Sequence, residues 1–206
     1  MKSCKRCGTC CKNGGPALHI QDLPLFKNIM QIENCITIRE AEPVLNPVSQ
    51  IVEPARSEFI KISGRGNSWQ CCFFNGDLNQ CSIYDTRPVE CVLLKCWDTT
   101  ELTDIIFKET LTRTDILTNQ SLLDLINNHN QQCSFRKFEV LAKNANYQEL
   151  SQMARLDMTI RQEAVGSYNL SLVEELFCFG RPMFQSAAFY SVTVRETPKG
   201  LAVSAL

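Results

Sequence analysis

The chain has 206 residues, a length that suits one domain or at most two, and 44% of them are hydrophobic, enough for an ordinary core. A formal net charge of -1 gives no overall basic field to draw nucleic acid or an anionic membrane. No apolar run reaches membrane-helix length, and the opening Met1-Lys2-Ser3-Cys4 lacks the apolar stretch of an export signal. The expected compartment is therefore the cytoplasm.

In chain order, Asp22 is expected to cap a short helix that has Pro24 in its first turn and runs to about Met30. Pro43, Pro47 and Pro54 make the stretch from Glu42 to Pro54 loop or extended chain. Phe59 to Ile62 alternates as a strand, 64–68 is a turn, and Trp69 to Phe74 is a second strand. Asp85 or Thr86 is expected to cap a helix with Pro88 in its first turn. Beyond Asp98 the pattern becomes helical. Thr100 opens one helix, and Ser121 opens another with Leu122, Leu125, Ile126 and His129 on one face. Tyr147 to Val165 and Leu170 to Phe179 read as two more, the last stopped by Gly180 and Pro182. Tyr190 to Val194 and Leu201 to Val203 flank the turn Thr197-Pro198-Lys199-Gly200, a C-terminal hairpin.

Twelve cysteines are many for this length, and ten of them lie between Cys4 and Cys96. Without an export signal, clustered cysteines point to metal ligation or catalysis rather than to disulfides. The first motif is Cys4-x2-Cys7-x2-Cys10-Cys11. A Cys-x2-Cys step brings two sulfurs to one metal from a tight turn. The three-cysteine run also matches the first ligands of a bacterial ferredoxin cluster, but Gly14 stands where its fourth cysteine belongs. The fourth ligand must then be Cys11 or come from far along the chain. Lys2, Lys5, Arg6 and Lys12 surround these thiols and are expected to lower their pKa values.

The second motif runs through Cys71, Cys72, Cys81, Cys91 and Cys96. Asn75-Gly76-Asp77 supplies a turn that folds Cys71 or Cys72 back towards Cys81. Cys91 sits one turn into the helix near Pro88, where the dipole favours thiolate. In a regular helix Cys91 and Cys96 point about 140° apart, so they share a site only if that helix ends near Lys95.

In the joint order of these residues, from Cys4-x2-Cys7-x2-Cys10-Cys11 to Cys71-x-Phe-Phe, Cys81-x-Ile-Tyr and Arg87-Pro88-x2-Cys91, the chain resembles the bacterial YkgJ-type cysteine cluster family. The likeness covers about residues 4 to 96. It implies a zinc- or iron-chelating domain of a kind often labelled an Fe–S-cluster protein. Carried over position by position, Cys4, Cys7, Cys10, Cys11, Cys71, Cys81 and Cys91 fall on the family's cysteines, and Arg87-Pro88 falls on its Arg-Pro. The Cys-x-Phe-Phe alignment favours Cys71, while spacing alone leaves Cys71 and Cys72 both open. Cys96 lies outside the core pattern and brings the candidate ligands to eight. Flagellin lysine methylases share a similar cluster, although no Gly-rich turn for S-adenosylmethionine stands out here.

Other residues read more plainly. His19 is a surface or core-edge histidine, with metal ligation as the sharper alternative, and His129 closes an amphipathic helix face. Asp85 and Glu90 read as capping or surface charges. Trp69 and Trp97 are expected to shield the second cluster. Cys35, Cys133 and Cys178 lie among apolar residues and read as buried structural cysteines.

The predicted fold is α+β. A metal-stapled, loop-rich region with short strands, residues 1–98, is joined in one compact domain to a helical region, 99–206, ending in a hairpin. Three functions stand open. The first is an iron–sulfur protein for electron transfer or sensing, with a redox or protein partner and no nucleic acid or membrane. The others are a zinc-binding structural or interaction module and a cluster-dependent protein-modifying enzyme.

Overall fold

The computed structural model describes residues 4–66 and 68–206. Met1, Lys2, Ser3 and Asn67, the last in the expected 64–68 turn, lie outside the described residues. The fold is mixed α+β. Its elements are α1 (Thr9–Lys12), β1 (Cys35–Ile38), β2 (Pro43–Leu45), β3 (Val52–Pro54), β4 (Phe59–Ile62), β5 (Phe74–Asn75), β6 (Gln80–Cys81), α2 (Val89–Leu93) and α3 (Thr100–Ile105). The longer helices α4 (Gln120–Gln132), α5 (Phe135–Lys143), α6 (Tyr147–Tyr168) and α7 (Leu172–Phe179) follow, then β7 (Val192–Thr197) and β8 (Gly200–Ala205). Among the described residues no helix is long and apolar enough to cross a membrane. The chain divides into two compact units, Met1–Ile36 with Phe59–Ile116, and Thr37–Glu58 with Leu117–Leu206.

The first unit is built on β4, whose Phe59, Ile60 and Ile62 are buried. The Leu18 amide donates to the Ile60 carbonyl, and the Ile60 amide donates to Leu111. The chain at 16–18 and the chain at Leu111 thus lie along one edge of this strand. Its helices are short, so little of the unit's stability comes from helix propagation. Several local expectations give way here. The helix near Asp22 is a 3-10 helix, Ile20–Lys27, with His19 at its N-cap. Asp22 stands three residues in, and its carboxylate accepts the His19 amide at 3.0 Å. Asp85 and Thr86 do not cap α2, because they lie in a separate 3-10 turn, Tyr84–Thr86, and Pro88 takes the N-cap position. Trp69 to Phe74 is not a strand. Cys71 makes a single antiparallel bridge with Gly64, the Phe74 amide turns back to the Cys71 carbonyl, and Phe74–Asn75 forms β5, placing Phe74 opposite Cys81 and Asn75 opposite Gln80. The Asn75 side chain then accepts the amides of Asp77 and Leu78 and closes the expected turn.

The second unit is helical, as the pattern predicts. In α6, Leu150, Met153, Ala154, Asp157, Ile160, Arg161 and Ala164 are buried, a stripe at helical spacing. Asn119, not Ser121, caps α4 by accepting the Leu122 amide. Ser171 and Glu174 form a capping box on α7, and Gly180 ends it at φ 66. The hairpin β7–β8 pairs Thr197 with Gly200, so its turn is Pro198-Lys199. The stretch of prolines at 43–54 is also a hairpin, with Pro43 opposite Pro54 and Leu45 opposite Val52. Its prolines stand at strand ends, where a missing N–H costs least. Helix α5 had no separate signal.

Candidate metal centre

The first cysteine segment lies on the second. Gly8, at φ 75, is the N-cap of α1, and the Lys12 amide donates to its carbonyl. A Cβ at Gly8 would lie 2.4 Å from Phe74 Cζ and 2.7 Å from Asn79 Oδ1. Only glycine allows both this backbone and this approach. Asn79 Nδ2 donates to the Arg6 carbonyl at 3.0 Å. The guanidinium carbons of Arg6 and Arg87 each lie 4.2 Å from the Tyr84 ring centroid. Arg87 also donates to the carbonyls of Tyr84 and Cys91. The amide of Cys71 donates to the carbonyl of Cys11 at 2.8 Å.

This docking brings thiols together. Cys10 Sγ and Cys11 Sγ are 3.9 Å apart. Burial pushes the Cys11 thiol up to about 12, with Cys10 and Cys81 adding to the rise. Burial also raises the Cys91 thiol, helped by Cys11, Cys10 and Cys81. Cys81 is raised by burial, with Cys10 and Cys72 contributing. Cys10, Cys11, Cys81 and Cys91 are therefore within one another's electrostatic reach. Cys71 is raised foremost by its hydrogen bond with Cys72, whose thiol that bond lowers to about 7. Cys72 Sγ also faces the Asn34 carbonyl at 3.7 Å. Cys4, Cys7, Cys10 and Cys96 are exposed.

Cationic control is a minor part of what acts on Cys7. The Cys7 thiol is lowered mainly by the Thr9 hydroxyl 3.3 Å away, with Lys12 a small contribution. Arg6 and Lys12 lie instead over the rings of Tyr84 and Phe74. The helix dipole does not make Cys91 a thiolate either, since α2 has five residues and burial dominates. That helix ends at Leu93, with Leu94 extended, so Cys91 and Cys96 do not stand on one regular helix. Trp69 and Trp97 are 69% and 41% exposed, so neither is a dry cover. Cys35, Cys133 and Cys178 are buried.

Neither histidine is free. His19 is buried and bonded to Lys108 and Glu90. His129 is fully buried, and its Nε2 lies 2.6 Å from Asp157 Oδ1. With Cys133, these two offer a three-donor group whose ligand atoms lie within 4.8 Å of one another. Asp157 Oδ1 also accepts from Arg161 Nε, Oδ2 accepts the Met183 amide, and Arg39 Nη1 is 3.9 Å away. Two guanidiniums beside that carboxylate oppose a further cation, and the group is an ion network of the core.

Among the described residues no three cysteine sulfurs meet within 4.8 Å as the core donors do, but one cysteine pair has the spacing of a metal site. Zinc bound by sulfur at about 2.3 Å in a tetrahedron sets neighbouring sulfurs about 3.8 Å apart. The Cys10–Cys11 separation of 3.9 Å is that edge. A soft cation there would also relieve the mutual opposition of thiols to ionisation. The two cysteine segments are the chain's candidate metal centre. The family model "CxxCxxCC: Putative zinc- or iron-chelating domain" matches residues 3–106, and the chain belongs to that family. No curated protein and no solved structure gives a match.

Proposed function

We propose that this chain is an iron–sulfur protein whose cluster is held jointly by its two cysteine segments and serves electron transfer or redox sensing. Cys10 and Cys11 take one iron together, and Cys81 and Cys91 complete the set. Cys4, Cys7, Cys71 and Cys96 are the further thiol donors around it. The observation that carries the reading is the vicinal pair, 3.9 Å apart, with Cys81 acting electrostatically on Cys11 and both members of the pair acting on Cys91. A [2Fe–2S] cluster takes two thiolates on each iron, whereas a [4Fe–4S] cluster takes one. The pair suits the former. Such a cluster supplies an accessible one-electron couple. Lys12 near Cys7 and Arg87 near Cys81 offset part of the thiolate charge there.

A second reading, a structural zinc site, is favoured by the same spacing, because it is equally the edge of a tetrahedral zinc centre. The test is protein isolated without oxygen from iron-replete cells. Iron–sulfur ligation predicts a coloured protein that dithionite bleaches reversibly. A colourless protein with stoichiometric zinc contradicts it in favour of the structural site.

A further inference from the structure

Helix α2 carries Cys91 yet has only five residues and no side-chain cap of its own. A helix so short does not persist by itself. Its first turn is held from distant parts of the chain. Asp22 Oδ1 accepts the Val89 amide at 2.9 Å, and Oδ2 accepts the His19 amide at 3.0 Å. Glu90 Oε2 accepts the Ala17 amide at 2.9 Å, and Oε1 faces His19 Nε2 at 3.2 Å. His19 Nδ1 donates to the Lys108 carbonyl at 2.8 Å. A carbonyl only accepts, so Nδ1 carries a proton, and Nε2 facing a carboxylate carries one too. His19 is thus a double donor clamped between two acceptors, with its ring and the Asp22 carboxylate both buried.

Burying Asp22 and His19, and half-burying Glu90, beside one helical turn costs desolvation. Nothing in a five-residue connector needs that expense, whereas a metal ligand needs its backbone fixed. Cys91 follows Glu90 directly, and Arg87 grips its carbonyl from the other side at 3.3 Å.

We infer that His19, Asp22 and Glu90 are positioning residues that fix Cys91 for metal ligation. This rests on the thiolate-centre reading above. His19 then acts on the metal through Glu90 and the helix, not as a ligand.

The test compares full-length wild type with Glu90→Gln, Glu90→Ala and His19→Ala. Metal retained against a competing chelator is measured, together with alkylation of Cys91 mapped by mass spectrometry. Buried Cys35, in the same unit as Cys91, serves as the folding control. Glu90→Ala and His19→Ala are expected to weaken metal retention about 10- to 100-fold and expose Cys91 to alkylation, with Cys35 still protected. In Glu90→Gln the amide still accepts from Ala17 and donates to a neutral His19, so retention stays within about threefold of wild type. Rescue by glutamine over alanine separates positioning from charge. Wild-type retention and Cys91 protection in both alanine variants overturn the inference. If His19→Ala loses the Cys35 control, Asp22→Asn gives the same comparison with one acceptor removed. A wild type that holds no metal defeats the thiolate-centre reading instead, and Cys91 labelling then still reports whether the anchor holds.

Discussion

The amide of Cys71 donates to the carbonyl of Cys11 at 2.8 Å, tying the two cysteine segments together through the backbone. The first motif lacks the fourth cysteine of a ferredoxin run and the second lacks a Cys-x2-Cys pair, and this bond ties the two together. Cys10→Ser and Cys81→Ser are therefore expected to lose metal alike and to lower the unfolding midpoint alike, because binding energy here is folding energy. Metal content and thermal unfolding of both variants check it. Loss of metal in one variant with full retention in the other contradicts a joint site.

Gly8 is where the first segment meets Phe74. An alanine there combines a left-handed backbone, costing about 1 kcal/mol, with overlap against a buried ring. Gly8→Ala is expected to cost roughly 2–4 kcal/mol in all and to reduce metal content. Gly66 is the control, since it also has positive φ but meets nothing within 4 Å. Gly66→Ala is expected to cost about 1 kcal/mol and to keep its metal. Chemical denaturation of the pair, with elemental analysis, measures both.

How much of this was legible depends on the range of the forces involved. The stripe on α6 and the hairpin at Thr197–Gly200 follow from local periodicity and turn chemistry, and the sequence predicts both. Phe59–Ile62 was legible for the same reason. The strand expected over Trp69–Phe74 fails because Cys71 bonds forward in a turn and backward to Cys11, and neither bond leaves a periodic trace. The cysteines themselves were legible as candidate donors through spacing. Asp22 and Tyr84 were not legible as supports of the site, since they reach it through Val89 and Arg6, which are remote in sequence. Thr9, two residues from Cys7, had a local signal.

Arg161 joins the buried centre of the second unit. It donates to Asp157, Glu175, and the carbonyls of Phe179, Gly180 and Arg181. Arg161→Ala leaves Glu175 and Asp157 buried without it and is expected to cost about 3–5 kcal/mol. The exposed pair Arg136–Glu40 makes the contrast, where Arg136→Ala is expected to cost below about 1 kcal/mol. Equal costs in urea unfolding contradict the ranking.

Acid acts on the same centre. Burial holds His129 down to about 4 from its ordinary 6.5, with Arg39 and Arg161 reinforcing it against Asp157. Below pH 6.5 the unfolded chain takes a proton that the folded chain refuses, so stability falls as pH drops from 6.5 to about 4. Asp157 resists burial through His129 and Arg161, sits at about 2, and extends the loss below 3.8. His19 is opposed by burial but raised by Glu90 and Lys108, so its contribution is full below 6.5 and fades as pH rises. Helical ellipticity in denaturant, read from pH 7 to 4 for wild type and His129→Gln, separates them. A steeper acid loss in wild type is expected, and parallel curves contradict it.

The central claim is a sulfur-bound metal built from both cysteine segments. X-ray absorption at the metal edge of anaerobically isolated protein, with elemental analysis of the same sample, tests it most directly. The account predicts stoichiometric iron, or zinc on the second reading, with a shell of sulfur alone that is lost in both Cys10→Ser and Cys81→Ser. Freshly isolated protein with neither metal at stoichiometric level, or with a shell dominated by nitrogen and oxygen, contradicts it.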